Sequence, residues 1–393
     1  MKLSSRVNQI ANSPTLAITA KAKALQEEGR EIIGLGAGEP DFATPKHVKE
    51  AAIKAIEEGF TTYTATVGIL ELREAICDSC KEERGVDYNS NQVIVSSGAK
   101  SSLFNAIQAL VEVGDEVILP APYWVSYPEQ IKFAGGIPVV VETSEDNSFK
   151  MTAKDLKEAI TAKTKAVIIN SPSNPTGAVY SKEELEEIAQ VAIEEDIFVI
   201  SDEIYRKISY SNKAVSIASL GEEIKDRTLI IDGVSKAYAM TGWRIGYAVG
   251  PEELIKAMGR LQSHSTSNAN SIAQKASLAA IAGSQEATNK MLEAFEARRD
   301  LITDGINKIT GITAVKPEGA FYLFANIKGL LGKTIDNEEI VDDYKFVELL
   351  LEKAGVATVP GSAFGMPGYI RLSYAASDED LKEALNRINQ FLS

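Results

Sequence analysis

Two cysteines, two histidines and two tryptophans are all that 393 residues contain of those types. The cysteines stand together as "CDSC", Cys77 and Cys80, with no second Cys or His pair nearby, so neither a zinc site nor a disulfide framework is predicted, and the metal expectation is none. Their spacing matches a redox CxxC, but it falls inside the helical pattern "ILELREAICDSCKEE" rather than ahead of a helix, and both read as reduced helix residues. Positive charge is in deficit: 41 Lys and Arg against 55 Asp and Glu leave a net charge of −14. A field of that sign repels polyanions and argues against nucleic acid or anionic membrane as general partners. The opening "MKLSSRVNQIANSPTLAITAKAKAL" lacks the apolar run of a secretion signal, and no apolar stretch reaches membrane-spanning length. A cytoplasmic protein is expected. Repeats at a solenoid period and low-complexity segments are also missing, which argues against a scaffold or array.

What is present is alternation. Short apolar runs, "NQVIVSS", "DEVILP", "GIPVVVET", "KAVIINS", "DIFVISDE", "RTLIIDG" and "RIGYAVG", are separated by stretches with helical periodicity such as "SSLFNAIQALVE" and "SKEELEEIAQVAIEED". Strand, helix, strand over this length predicts an α/β domain around a mostly parallel sheet of seven strands between helices. From about residue 285 longer charged helical segments and a few short strands ("AFYLFANI", "YIRLSYA") predict a smaller α+β domain. The expected division is a segment 1–45 that packs with the small domain or with a partner subunit, a large domain 46–284, and a small domain 285–393.

Ligands of open α/β sheets collect beyond the carboxyl ends of the strands, so the residues that follow each apolar run carry the chemistry. After "NQVIVS" come Ser97, Gly98, Ala99 and Lys100 and then a helix, whose free N–H groups and positive dipole end suit an anion. After "KAVIIN" the loop "SPSNPTGAVY" is stiffened by two prolines and presents Asn174. "IFVIS" is followed by Asp202, with Tyr205 one turn later. Taken alone, each is a helix cap, a structural amide or a solvated carboxylate as readily as a functional group. After "TLIIDGV" come Ser235 and Lys236, and Arg244 lies beyond Gly242. A single lysine is most often a surface charge, but one behind a buried strand, among small residues, can be a nucleophile toward a carbonyl. Together these are the parts that hold pyridoxal 5′-phosphate: Asp202 for the pyridine nitrogen, Tyr205 and Asn174 for the ring oxygen, Lys236 for the aldehyde, and a phosphate cradle of helix N-terminus, Ser235 and Arg244.

In this setting "AGEPDFATP" (37–45), "YTATVGILELREA" (63–75), "PYWVSYPEQIKFAGG" (122–136), "NSPSNPTGAVY" (170–180), "SDEIYRKISY" (201–210), "SKAYAMTGWRIGYAVG" (235–250) and "YIRLSYA" (369–375) run in one order across the chain. The sequence resembles the class I aminotransferases of PLP fold type I, and within them the bacterial aspartate aminotransferase subgroup. The resemblance implies that Trp124 stacks on the pyridine ring, that Gly98, Ala99, Ser235 and Arg244 hold the phosphate, and that Tyr63 reaches it from the second subunit of a homodimer with shared active sites. It further implies that Arg371 clamps the substrate α-carboxylate with Asn174 and the backbone at Gly38, while Lys236 carries the proton.

A lysine at position 100 in this subgroup pairs with the distal carboxylate of a dicarboxylic substrate, which implies ping-pong transfer between L-aspartate or L-glutamate and 2-oxoglutarate or oxaloacetate. Small amino and 2-oxo acids are the expected partners. Relatives that also take prephenate use a basic side chain where Ala11 stands here; Thr15 does match, and the order Asn12-Ser13-Pro14 departs from the family's. His47 reads as a helix residue after "DFATP", whereas His264 lies in "QSHSTSNANSIAQ", which in the family borders the active site. Alternatives on the same fold are aminotransferases of aromatic amino acids, alanine or prephenate, and C–S lyases. A non-enzymatic regulator with this fold needs a basic DNA-binding extension that the acidic chain does not show. A nicotinamide site at "GLGAGEP" is rejected, because "EPDFATP" cannot open the helix that the fingerprint requires.

Overall fold

The seven apolar runs all form strands of one sheet: β1 (Val93–Ser96), β2 (Glu116–Ala121), β3 (Ile137–Glu142), β4 (Thr164–Asn170), β5 (Phe198–Asp202), β6 (Thr228–Gly233) and β7 (Gly246–Val249). The structure is a computed structural model that describes every residue except Lys2, Asn12, Ser13 and 211–213, with Leu16 described by its backbone only. Across the sheet the order is β1-β7-β6-β5-β4-β2-β3. All neighbours are parallel except β7, which runs antiparallel to both β1 and β6.

Burial on two faces is why these strands read as continuous apolar runs rather than alternating ones. Within β4, Ala166 and Ile168 pack with Leu103 and Ile107 of the helix Ala99–Leu110, while Val167 and Ile169 face Leu185 and Ile188 of the helix Lys182–Glu194 on the other side. The latter helix begins with a reciprocal cap, in which the Ser181 side chain accepts from the Glu184 N–H and the Glu184 carboxylate from the Ser181 N–H.

A second, four-stranded antiparallel sheet runs Val359–Pro360, Tyr369–Ser373, Tyr322–Asn326, Thr313–Ala314. Its core joins Phe295 and Ile302 of the helix Glu286–Ile306 with Leu323, Ile370, Leu372 and Leu381. Side chains alternate across a strand, so burying Ile370 and Leu372 in that core turns Arg371 to the opposite face. Residues 33–35 reach this part of the molecule: Ile33 and Gly34 pair in parallel with Val356 and Ala357, and Leu35 enters the same core.

Cys77 and Cys80 lie on the helix Leu70–Arg84, both buried. Burial pushes their thiols up to about 12 and about 11, so neither presents a thiolate at neutral pH. Among the described residues no His, Cys, Asp and Glu group could hold a metal ion, and no helix is long and apolar enough to cross a membrane.

Candidate active site

Beyond the carboxyl ends of β1, β4, β5 and β6 lies a cavity of about 390 Å³. Gly38, Ala99, Lys100, Trp124, Asn174, Asp202, Tyr205, Ser235, Lys236, Arg244 and Arg371 all line it.

Lys236 arrives on the loop after β6, and its Nζ donates to the Gly38 carbonyl oxygen at 2.7 Å. Burial lowers its pKa to about 8; Glu39 opposes that shift, and the neighbouring Arg244 and Arg371 reinforce it. Asp202, the last residue of β5, is 5% exposed. Its Oδ2 accepts from the Tyr127 hydroxyl at 2.8 Å and its Oδ1 from the Ile204 N–H at 3.2 Å. Burial drives the carboxyl up to about 6; those two hydrogen bonds hold it back, while Asp232 and Glu203 push it further up.

Arg371 is 3% exposed and faces no carboxylate among the described residues. Nη1 donates to Asn174 Oδ1 at 2.9 Å and Nη2 to the Gly36 carbonyl at 2.7 Å, while Nε has no partner. The guanidinium lies between the rings of Tyr322 and Phe364, at 4.4 and 5.0 Å from their centroids. Burial pulls its pKa below the ordinary arginine value. Asn174 is set by Asn170 at the end of β4, whose Oδ1 accepts the Asn174 N–H at 2.8 Å and whose Nδ2 donates to the Asp202 carbonyl at 3.0 Å.

Gly98 turns the chain from β1 into the helix Ala99–Leu110 with φ +89°, and a Cβ there would lie 2.4 Å from Arg244 Nη2. Only glycine lets the guanidinium close over that helix N-terminus. Arg244 itself holds a left-handed φ of +57°, a strained conformation for a side-chain-bearing residue. Lys100 Nζ sits 4.7 Å from the centroid of Trp124, and burial together with Arg244 lowers its pKa.

Gly98 itself lies next to the cavity, under Arg244, rather than in its wall. Tyr63 is 89% exposed and does not line the cavity of its own chain. His264 caps the helix Glu252–Ser263 at the surface, away from the cavity. Thr15 lines it; Asn12 and Ser13 lie outside the described residues. Two aromatic residues missed by the sequence reading complete the wall. Tyr127 holds Asp202, and its only sequence signal is its spacing one turn after Trp124, against which it packs edge-on at 5.4 Å. The Tyr322 hydroxyl is 2.7 Å from that of Tyr205, and nothing in "AFYLFANI" marks it apart from a core aromatic.

Residues 30–388 match the family model of aminotransferases of class I and II. The chain belongs to that family. It is 53% identical to the aspartate aminotransferase of Geobacillus stearothermophilus over 397 residues, covering 100% of this chain and 99% of the relative. A "probable aspartate/prephenate aminotransferase" of Aquifex aeolicus is 49% identical, covering 99% and 98%. The aspartate aminotransferase of Thermus thermophilus, solved with maleate, superposes with a TM-score of 0.94 at 44% identity, covering 100% of both chains.

Aminotransferases of class I use pyridoxal 5′-phosphate, and the pocket of this aminotransferase suits it. Four cationic side chains, Lys100, Lys236, Arg244 and Arg371, line one cavity without an ion-pair partner among the described residues. Asp202, also without one, is the carboxylate in that wall. A phosphate and a carboxylate-bearing substrate would match these cations in sign, and a cationic ring nitrogen would match Asp202.

Proposed function

We propose that this aminotransferase moves the amino group between L-aspartate or L-glutamate and 2-oxoglutarate or oxaloacetate by a ping-pong cycle. The observation that carries the reading is the excess of cations without an ion-pair partner among the described residues of the cavity: Arg371 is buried there with neutral partners, and Lys100 offers a second charge in the same space. The Thermus relative's maleate is a dicarboxylate, which agrees with two cationic ends.

Bound pyridoxal phosphate supplies an aldehyde that takes up the amino group and a ring that accepts the electrons of the broken Cα–H bond. The chain does the rest. Arg371 and Asn174 bind the α-carboxylate, a bidentate pairing that fixes the orientation of Cα–H. Lys236, its pKa lowered to about 8, has an appreciable neutral fraction near neutral pH, so its Nζ can take the α-proton and hand it on. Asp202, aimed by the Tyr127 hydroxyl and the Ile204 N–H, would hold a proton on the ring nitrogen through its charge. Tyr205 and Asn174 would donate to the ring oxygen, Trp124 would cover the ring face, and Gly98, Ala99, Ser235 and Arg244 would seat the phosphate.

Tyr63, turned to solvent on its own chain, reaches the phosphate of a second subunit, which makes the working form a homodimer; we place it in the cytoplasm. We divide the chain into a segment 1–45, a large domain 46–284 and a small domain 285–393. Prephenate is left outside the reading: Ala11 brings no cation, and its N–H is donated to Glu129 Oε2 at 2.9 Å. A coupled assay of oxaloacetate formation from L-aspartate and 2-oxoglutarate tests the proposal. Turnover that requires added pyridoxal phosphate supports it; a cofactor-loaded protein with no turnover on either dicarboxylic amino acid refutes it.

A further inference from the structure

Behind the strand ends that present Asp202 and Lys236 lies a second group of buried charges that the reaction scheme leaves unused. Arg84, the last residue of the helix Leu70–Arg84, has a side chain 1% exposed. Its Nε donates to Glu203 Oε2 at 2.7 Å, its Nη2 donates to Asp232 Oδ2, and its Nη1 faces Cys80 Sγ at 3.9 Å. Glu203 Oε1 accepts from Ser201 Oγ at 3.0 Å and Ser216 Oγ at 2.6 Å. Asp232 Oδ1 accepts the Gly233 N–H at 2.7 Å, and its Oδ2 also accepts from the Tyr247 hydroxyl at 3.1 Å.

Such a cluster is costly to bury, and apolar side chains would stabilise the same volume as well or better. Its position supplies a reason for it. Glu203 directly follows Asp202, and Asp232 lies near the end of the adjacent strand, four residues before Lys236, where Asp202 is paired with Ile231. Two further carboxylates beside Asp202 oppose its ionisation. Arg84 is the cation that contacts both of them. Arg206 and Lys207, the other cations of the region, are engaged by Glu83. Toward the cavity, the titratable groups around Asp202 are Tyr127, Tyr205 and Lys236.

We propose that Arg84 is a positioning residue for Asp202: it ties the ends of β5 and β6 together through Glu203 and Asp232 and offsets the negative charge those two place behind the active-site carboxylate. The proposal rests on the reading of Asp202 as the partner of the cofactor's ring nitrogen.

Binding of pyridoxamine 5′-phosphate to the cofactor-free protein, followed by tryptophan fluorescence across the acidic pH range, tests it. This probe has no aldehyde, so Lys236 forms no bond to it. Titrations of the free ligand are common to all variants, so displacements between variants belong to the protein. Arg84→Met is expected to move the midpoint of acid-induced loss of affinity upward by about one pH unit, with roughly tenfold weaker binding near that midpoint. Glu203→Gln removes one of the opposing charges and moves the midpoint downward, a sign that general loosening of the fold does not produce. The double variant Arg84→Met/Glu203→Gln returns toward the parent. If Arg84→Met does not fold, Glu203→Gln decides alone. A Glu203→Gln midpoint that stays in place or rises overturns the proposal, as does an Arg84→Met protein weakened equally at every pH. Should Asp202→Asn bind the probe as tightly as the parent at every pH, the reading of Asp202 fails, and the role of Arg84 with it.

Discussion

Replacing Lys100 by methionine keeps an unbranched side chain, one atom shorter, and removes its charge. Lys100 is the second residue of the helix Ala99–Leu110, and its Nζ rests 4.7 Å from the Trp124 ring centroid without an ion-pair partner among the described residues. Two interactions are lost. The contact with the tryptophan face, worth roughly 0.5–1 kcal/mol, is the same whichever amino acid is bound. A charge-assisted hydrogen bond to a distal carboxylate, about 1.5–3 kcal/mol when buried, is lost only by dicarboxylic substrates. Lys100 is in part open to solvent, which reduces the second figure to about 1–2 kcal/mol, or about 5- to 30-fold in kcat/KM. The assay is kcat/KM for aspartate, glutamate, alanine and phenylalanine against one common 2-oxo acid. The ratio of aspartate to alanine is expected to fall by that factor, while alanine and phenylalanine change little. An equal loss on all four would refute the reasoning and assign Lys100 to the phosphate or to the helix end.

Lys236 is held near 8 against an ordinary 10.5. The folded protein therefore binds its proton less tightly than the unfolded chain, and stability from this group is least below about pH 8 and recovers as pH rises toward 10.5. In urea denaturation of the cofactor-free protein at neutral pH, Lys236→Met is expected to be the more stable by up to about 3 kcal/mol, although inactive, and the gap should close at alkaline pH. Arg371→Met should raise KM for aspartate and alanine alike, by roughly 30-fold or more. Thermal denaturation of its cofactor-free form should show increased stability, because a buried charge without a counter-ion has been removed. Tyr63→Phe should weaken cofactor binding only through the partner: mixed dimers with Lys236→Ala are expected to regain activity at one of two sites, and a mixture with no recovery contradicts shared sites.

The sheet was legible because strands buried on both faces leave uninterrupted apolar runs, and β1 to β7 coincide with those runs. Asp202, Asn174 and Lys236 were legible for a related reason, since each ends a strand or follows one within a few residues, where ligands of this architecture collect. Arg371 was not readable from its surroundings alone. It sits mid-strand in the second sheet, and only the alternation that buries Ile370 and Leu372 decides that it faces the cavity. Tyr127 and Tyr322 carry ordinary core sequences; their roles depend on partners 75 and 117 residues away. Arg84 is the clearest case: "CKEERG" has the composition of a solvated helix end, and only the folded chain brings Glu203 and Asp232, 119 and 148 residues away in sequence, to its guanidinium.

The central claim is tested most directly by the absorption spectrum of the purified, cofactor-loaded protein while single amino acids are added without any 2-oxo acid acceptor. L-aspartate is expected to convert the band of the bound pyridoxal form to that of the pyridoxamine form in a half-reaction, with L-alanine and L-phenylalanine far slower. A band that aspartate and glutamate leave unchanged while a neutral amino acid converts it would contradict the dicarboxylate reading, and a protein that acquires no such band would contradict the site itself.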